Sequence, residues 1–166
     1  MKIVGFTNIE NKIEMVLKSD SSLMVNRKPV FIPDWSEDIR YAPCVVVRIC
    51  KLGKHVATKF AERYYDSIAP ALNIYAEDYR QKGDPIRAWA FDNALPVGTF
   101  MSLDKYHPND LIISIDRAVT EVSRLMTIRQ GDLIFIERQI PSQPLVREEV
   151  FQEIVDGEEV LYCKIK

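Results

Sequence analysis

Two short apolar-rich runs open the chain, Lys2 to Thr7 and Lys12 to Lys18, on either side of the polar Asn8-Ile9-Glu10-Asn11, a pattern that predicts a hairpin. Ser19 to Arg27 reads as a polar connection, Val30 to Ile32 as a short strand between two prolines, and Asp34 to Glu37 as a turn. The longest strand is expected over Ile39 to Leu52. There Val45 and Val47 face one way and Cys44, Val46, Arg48 and Cys50 the other, a β-branched density suited to burial on both faces. The spacing then changes. Phe60, Ala61, Tyr64, Tyr65 and Ile68 recur at three and four residues, which predicts a helix over about Thr58 to Ile68, stopped by Pro70.

Beyond Pro70, Ala71 to Tyr75 is expected as a strand, Ala76 to Lys82 as two helical turns ended by Gly83, and Asp84 to Asn93 as irregular. A strand around Val97 to Met101, a loop from Asp104 to Asn109 and a strand from Leu111 to Ile113 follow. The strongest helix signal begins at Ser114, an N-cap residue, with Asp116 in the first turn and a stripe of Ile115, Ala118, Val119, Val122, Leu125 and Met126. Gln130-Gly131-Asp132 turns the chain into a strand over Leu133 to Arg138. A closing hairpin is expected from Arg147 to Val155 and Glu158 to Ile165, with Asp156-Gly157 in the tight turn. No repeat, low-complexity tract or linker interrupts the pattern. The expectation is one α+β, mostly β domain over residues 1–166, a twisted or barrel-like sheet with helices outside.

Composition narrows the partners. Apolar residues make up 47% and charged residues 28%, as in ordinary globular proteins, and 22 basic against 24 acidic residues give a net charge of −2. No basic stripe invites a phosphate backbone, and no apolar run reaches membrane-span length, so neither nucleic acid nor a membrane is expected as partner. Met1 leads straight into strand-like sequence, which points to the cytoplasm. The three cysteines fit a reducing compartment. Cys44 and Cys50 on one strand would lie about 20 Å apart, and no pair has metal-ligand spacing.

Familiar catalytic signatures are missing: no nucleophile elbow, P-loop, dinucleotide fingerprint or His-Glu-x-x-His. The only imidazoles, His55 and His107, fall in expected loops and read as exposed residues rather than bases.

The run VVVRICKLGKHVATKFAERYYDSIAPALNIYAEDYRQ, with KPVFIPDWSEDIRY before it and AFDNALPVG, SIDRAVTEVSRLMTIRQGDLIF and the final hairpin after it, resembles the fumarylacetoacetate hydrolase family. The likeness is greatest to short bacterial hydrolases and isomerases of 2-oxo and diketo acids, and covers nearly the whole chain. It implies a mixed β-sheet roll flanked by helices, usually a homodimer. It also implies a site in which Mg²⁺, Mn²⁺ or Ca²⁺, held by a Glu-x-Glu and an Asp, stabilises a developing enolate. Carried over by position, those carboxylates fall at Ala42, Cys44 and Asn73. The family's substrate-contacting Lys falls at Trp89, and its Thr-Gly-Thr-Pro at about Ile136 to Gln139. Its Asn-Tyr-x-x-His segment has no counterpart, and its substrate-side hairpin shortens to Asp104 to Asp110.

Three expectations follow. The favoured one is a family-fold pseudoenzyme with no catalytic residue and no metal, binding a small molecule or a protein. Its pocket would be lined by Cys44, Asn73, Tyr75, Trp89 and Glu137, with Asp92 beside it, and would take flatter, less anionic ligands. The second is an active metal-dependent hydrolase, isomerase or decarboxylase with a relocated site drawn from Asp20, Asp78, Asp92 and Glu137. The third is a structural subunit that pairs with an active paralogue.

Overall fold

The computed structural model describes residues 1–25 and 27–166. Position 26, inside the expected Ser19 to Arg27 connection, lies outside the described residues. Strands β1 (Ile3–Ile9) and β2 (Lys12–Lys18) pair antiparallel along their whole length. Their turn is only Glu10-Asn11, both at positive φ (51° and 64°), a two-residue turn rather than the four-residue one expected. Strand β3 (Leu23–Met24) follows a short 3-10 turn, and the long β4 spans Ile39–Ile49. An irregularity between Arg48 and Ile49 ends β4 before the expected Leu52, so Cys50 lies just past the strand. All three cysteines are free.

The helix expected over Thr58 to Ile68 is the main correction. Only Thr58–Tyr64 is helical, as 3-10 turns, and Tyr65–Ala76 forms β5, a twelve-residue strand that absorbs Pro70 and the shorter Ala71 to Tyr75 strand. Long-range pairing with β4 along Ile39–Ile49 overrides the local spacing. Pro70 is tolerated because β5 is an outer strand: its carbonyl accepts from Gly98 N at 2.8 Å on the outer side, so its missing N–H faces outward too and the β4 ladder loses nothing.

Helix α1 (Glu77–Gln81) ends at Gly83, whose φ of +73° suits a glycine. Helix α2 (Pro85–Trp89) replaces part of the expected irregular segment. Asp84 caps it by accepting from Arg87 N, and Pro85 opens it. Of the strand expected at Val97 to Met101, only β6 (Leu95–Pro96) and isolated bridges at Val97 and Met101 form. Val30 and Leu111 likewise make single bridges. Helix α3 (Ile115–Leu125) is capped by Ser114 as expected. Strand β7 (Leu133–Glu137), the two-residue β8 (Gln143–Pro144) and the hairpin of β9 (Val150–Val155) and β10 (Glu158–Lys164) complete the chain.

The sheet order is β2-β1-β7-β4-β5, with β1 and β7 parallel and β8 on the end of β4. This curled mixed sheet with flanking helices is the expected roll. On one face Val4, Phe6, Val45, Val47, Ile134 and Ile136 pack under α3. The other face buries Ile3, Val46, Ala69, Ala71, Leu133 and Phe135. Phe135 lies flat across β1 because Gly5 has no side chain: a Cβ there would sit 1.8 Å from the ring.

Candidate functional site

The second face carries a row of buried polar side chains, and strand register assembles it. Ala42 stands opposite Asn73, and Cys44 stands opposite both Ala71 on β5 and Glu137 on β7. Residues directly opposite one another share a face, as do residues two apart on a strand. Ala42, Cys44, Asn73 and Glu137 therefore project together. Two further residues, singled out by nothing in the sequence, join them: Thr7 from β1 and Lys18 from the end of β2.

Glu137 is 4% exposed and its carboxylate accepts three hydrogen bonds. Thr7 Oγ1 donates to Oε1, Asn73 Nδ2 donates to Oε1 at 2.8 Å, and Asn8 N donates to Oε2 at 2.9 Å. Burial raises its pKa, while those three bonds and the charge of Lys18 oppose the rise. Asn73 is fully buried, and its Oδ1 has no hydrogen-bond partner among the described residues. Burial, with Glu137 adding to it, holds the Cys44 thiol well above its usual range, so it is a neutral thiol near pH 7.

Lys18 is 5% exposed, and its Nζ donates to Ile74 O at 2.8 Å and Trp89 O at 3.1 Å. The rings of Phe135, Trp89 and Phe91 lie 5.7, 5.9 and 5.9 Å from the amine. Burial pulls its pKa down to about 7, and the charge of Glu137 opposes the fall.

Tyr75 is buried and stacks on Trp89, with ring centroids 5.0 Å apart, and Tyr75 Oη bonds Ser142 Oγ at 2.9 Å. Ser142, Glu137, Asn8, Asn11, Arg138 and Gln139 line an open cleft of about 620 Å³ beside the β1–β2 turn. A smaller cleft of about 190 Å³ reaches Cys44 from the side of Pro43 and Phe151. Trp89 lines neither cleft and serves as a floor under Tyr75 and Lys18. Asp92 is exposed in the turn after α2, away from both clefts. His55 and His107 are exposed, as expected of loop residues.

A hard divalent cation needs several anionic oxygens converging on one point. The residues here do not fit one. Ala42 offers no donor atom, Cys44 is a soft thiol held protonated, Asn73 offers one neutral oxygen, and Glu137 already accepts three hydrogen bonds. The relocated set does not converge either. Asp20 and Asp92 are exposed, while Asp78, in the first turn of α1, accepts from Ser36 Oγ at 2.6 Å and Glu37 N at 3.1 Å. Among the described residues, no three His, Cys, Asp or Glu side chains are grouped to hold an ion.

The signal for Thr7 and Lys18 was faint. Lys18 occupies the last position of a strand whose other lysine, Lys12, is exposed, and only its pairing with Ile3 reveals the buried face. Its carbonyl acceptors and aromatic neighbours come from segments more than fifty residues away.

No protein-family model matches the chain, and no curated protein matches its sequence. Solved structures do match. A fumarylpyruvate hydrolase from Pseudomonas aeruginosa, in complex with Mn²⁺ and pyruvate, superposes with TM-score 0.83 at 18% identity, covering 99% of this chain and 89% of that one. A 5-carboxymethyl-2-hydroxymuconate delta-isomerase from Mycobacterium smegmatis gives 0.84 at 17% identity, covering 99% and 78%. A 2-hydroxyhepta-2,4-diene-1,7-dioate isomerase from Mycobacterium marinum gives 0.84 at 19% identity, covering 99% and 73%. At these identities the likeness is one of fold, and over 99% of its length this chain has the fold of the fumarylacetoacetate hydrolase family.

Proposed function

We propose that this protein keeps the fumarylacetoacetate hydrolase fold as a binding scaffold and has given up metal-dependent chemistry. One observation carries the reading. Glu137, the one carboxylate among the described residues of the site face, is buried and already accepts from Thr7, Asn8 and Asn73, so it serves as an internal acceptor rather than an ion ligand. A fumarylpyruvate hydrolase of the same fold is found with Mn²⁺, whereas here the donor set suits no hard cation. An active enzyme with a relocated metal is disfavoured because Asp20, Asp78 and Asp92 do not gather around Glu137.

The ligand is a small molecule taken into the cleft beside Glu137, Arg138 and Ser142, or a protein surface covering it. Arg138 is neutralised by Asp110 at 3.0 Å, so the cleft suits a neutral or weakly anionic ligand better than a dicarboxylate. We read the chain as cytoplasmic, and as a homodimer or the partner of an active paralogue. No helix is long and apolar enough to cross a membrane among the described residues.

The test is elemental analysis and Mn²⁺ paramagnetic resonance on protein incubated with excess Mg²⁺ or Mn²⁺ and then desalted. No stoichiometric ion is expected. A tightly bound ion with carboxylate ligands, or turnover of acylpyruvates abolished by a chelator, would overturn the proposal.

A further inference from the structure

The misfit to a metal is matched by a cation of the chain's own. A buried ammonium is expensive unless dipoles and charges meet it, and Lys18 meets them on every side. Ile74 O and Trp89 O accept from it, and three aromatic faces surround it at 5.7 to 5.9 Å. Its hydrogen-bond acceptors among the described residues are carbonyls rather than carboxylates, and the charge it feels is that of Glu137. Cation and carboxylate are clamped to adjacent residues of one strand, since Ile74 O holds Lys18 and the neighbouring Asn73 donates to Glu137. Phe135, under the ammonium, stands two residues before Glu137 on the same face of β7.

We propose that Lys18 is the resident cation of this site: an ammonium fixed by Ile74 and Trp89 balances Glu137 across the sheet face, as a bound ion balances carboxylates in a metal site, and so keeps a divalent ion out. The inference rests on the metal-free reading above and adds what stands in the ion's role. Burial holds the amine near half-charge at neutrality, so the effect is fullest on the acid side of pH 7.

The experiment restores carboxylates with and without Lys18. Two chains are made, both carrying Ala42→Glu, Cys44→Glu and Asn73→Asp, one of them also Lys18→Met, and their Mn²⁺ affinities are measured at pH 6.5. The chain lacking Lys18 should bind at least about tenfold more tightly, the ratio that one modest charge–charge coupling gives. Equal affinities would overturn the inference while leaving the metal-free reading intact. Mn²⁺ binding by the unaltered chain would instead overturn that reading.

Should the restored chains not fold, a cycle in the native background decides. Urea midpoints of Lys18→Met, Glu137→Gln and the double variant should be non-additive by about tenfold in the folding equilibrium constant. If a variant with Lys18→Met does not fold, the lysine amine is titrated by NMR in the unaltered chain and in Glu137→Gln. Its midpoint should fall when the carboxylate is removed. Additivity in the cycle, or an unmoved midpoint, would overturn the inference.

Discussion

The two faces of the central sheet come from the same strands, yet they are stabilised differently. Under α3, Val4, Phe6, Val45, Val47, Ile134 and Ile136 meet Ala118, Val119 and Val122, and the packing is apolar throughout. On the opposite face, positions one residue away along the same strands supply Thr7, Cys44 and Glu137, joined by Asn73 from β5 and Lys18 from β2. Burial alone stabilises the first face. The second contributes only as far as its polar groups find partners, because an unpaired buried group costs more than a made hydrogen bond returns; Asn73 Oδ1 finds none among the described residues. The α3 face should therefore tolerate conservative exchange, while the polar face should respond sharply to the loss of any one member.

The largest effect should come where the two regimes join. Phe135 fills the space over Gly5 and also forms part of the ring of aromatic faces around Lys18. Phe135→Ala should destabilise by about 3–5 kcal/mol in urea unfolding, the range for truncating a buried aromatic. A loss under about 1 kcal/mol would mean that the polar face does not depend on its aromatic floor.

Next in size is the carboxylate. Glu137→Leu keeps the volume but strands Thr7 Oγ1, Asn8 N and Asn73 Nδ2 without an acceptor, and should cost about 3 kcal/mol or more. Glu137→Gln keeps an acceptor oxygen and should cost about 1 kcal/mol. Equal losses, measured by chemical denaturation, would show that the hydrogen bonds are incidental.

The α3 face was legible in the sequence because its information is local: Ser114 and the three- and four-residue spacing through Val122 specify a capped amphipathic helix. Alternation in Val45 to Val47 likewise identified both faces of β4, and the register places Ala42, Cys44, Asn73 and Glu137 on one of them. What could not be read was whatever depends on distant segments. Pro70 reads as a helix stop until β4 claims Tyr65–Ala76 as a strand, and Lys18 reads only as the last residue of a hairpin strand, with nothing to show that Ile74 and Trp89 close over it. A lysine buried by carbonyls from two remote elements leaves no periodic trace.

A third effect is in pH. The folded-state pKa of Lys18 is lowered to about 7 from an ordinary 10.5, so above pH 7 the unfolded chain holds more protons than the folded one. Stability should therefore rise with pH from about 7, at no more than about 1.4 kcal/mol per pH unit. Glu137 works the other way at lower pH: its raised value costs stability as pH climbs from the ordinary carboxyl range through that value. The window to examine is pH 7 to 8.5, ending where the unfolded thiols of Cys44 and Cys163, both raised in the folded chain, ionise and subtract. Urea midpoints should climb across it in the unaltered protein and stay flat in Lys18→Met. A climb that survives Lys18→Met belongs to another group.

The smallest effect tests whether the faces are independent. Ser114 Oγ accepts from Arg117 N at 3.2 Å and closes the first turn of α3, on the far side of the sheet from Lys18. Ser114→Ala should cost about 1 kcal/mol, the usual loss for a helix N-cap. The pH 7 to 8.5 slope should be unchanged, because sites that share no partner add. If Ser114→Ala also alters that slope, the apolar packing under α3 is setting the environment of Lys18 through the strands, and the two faces form one cooperative unit.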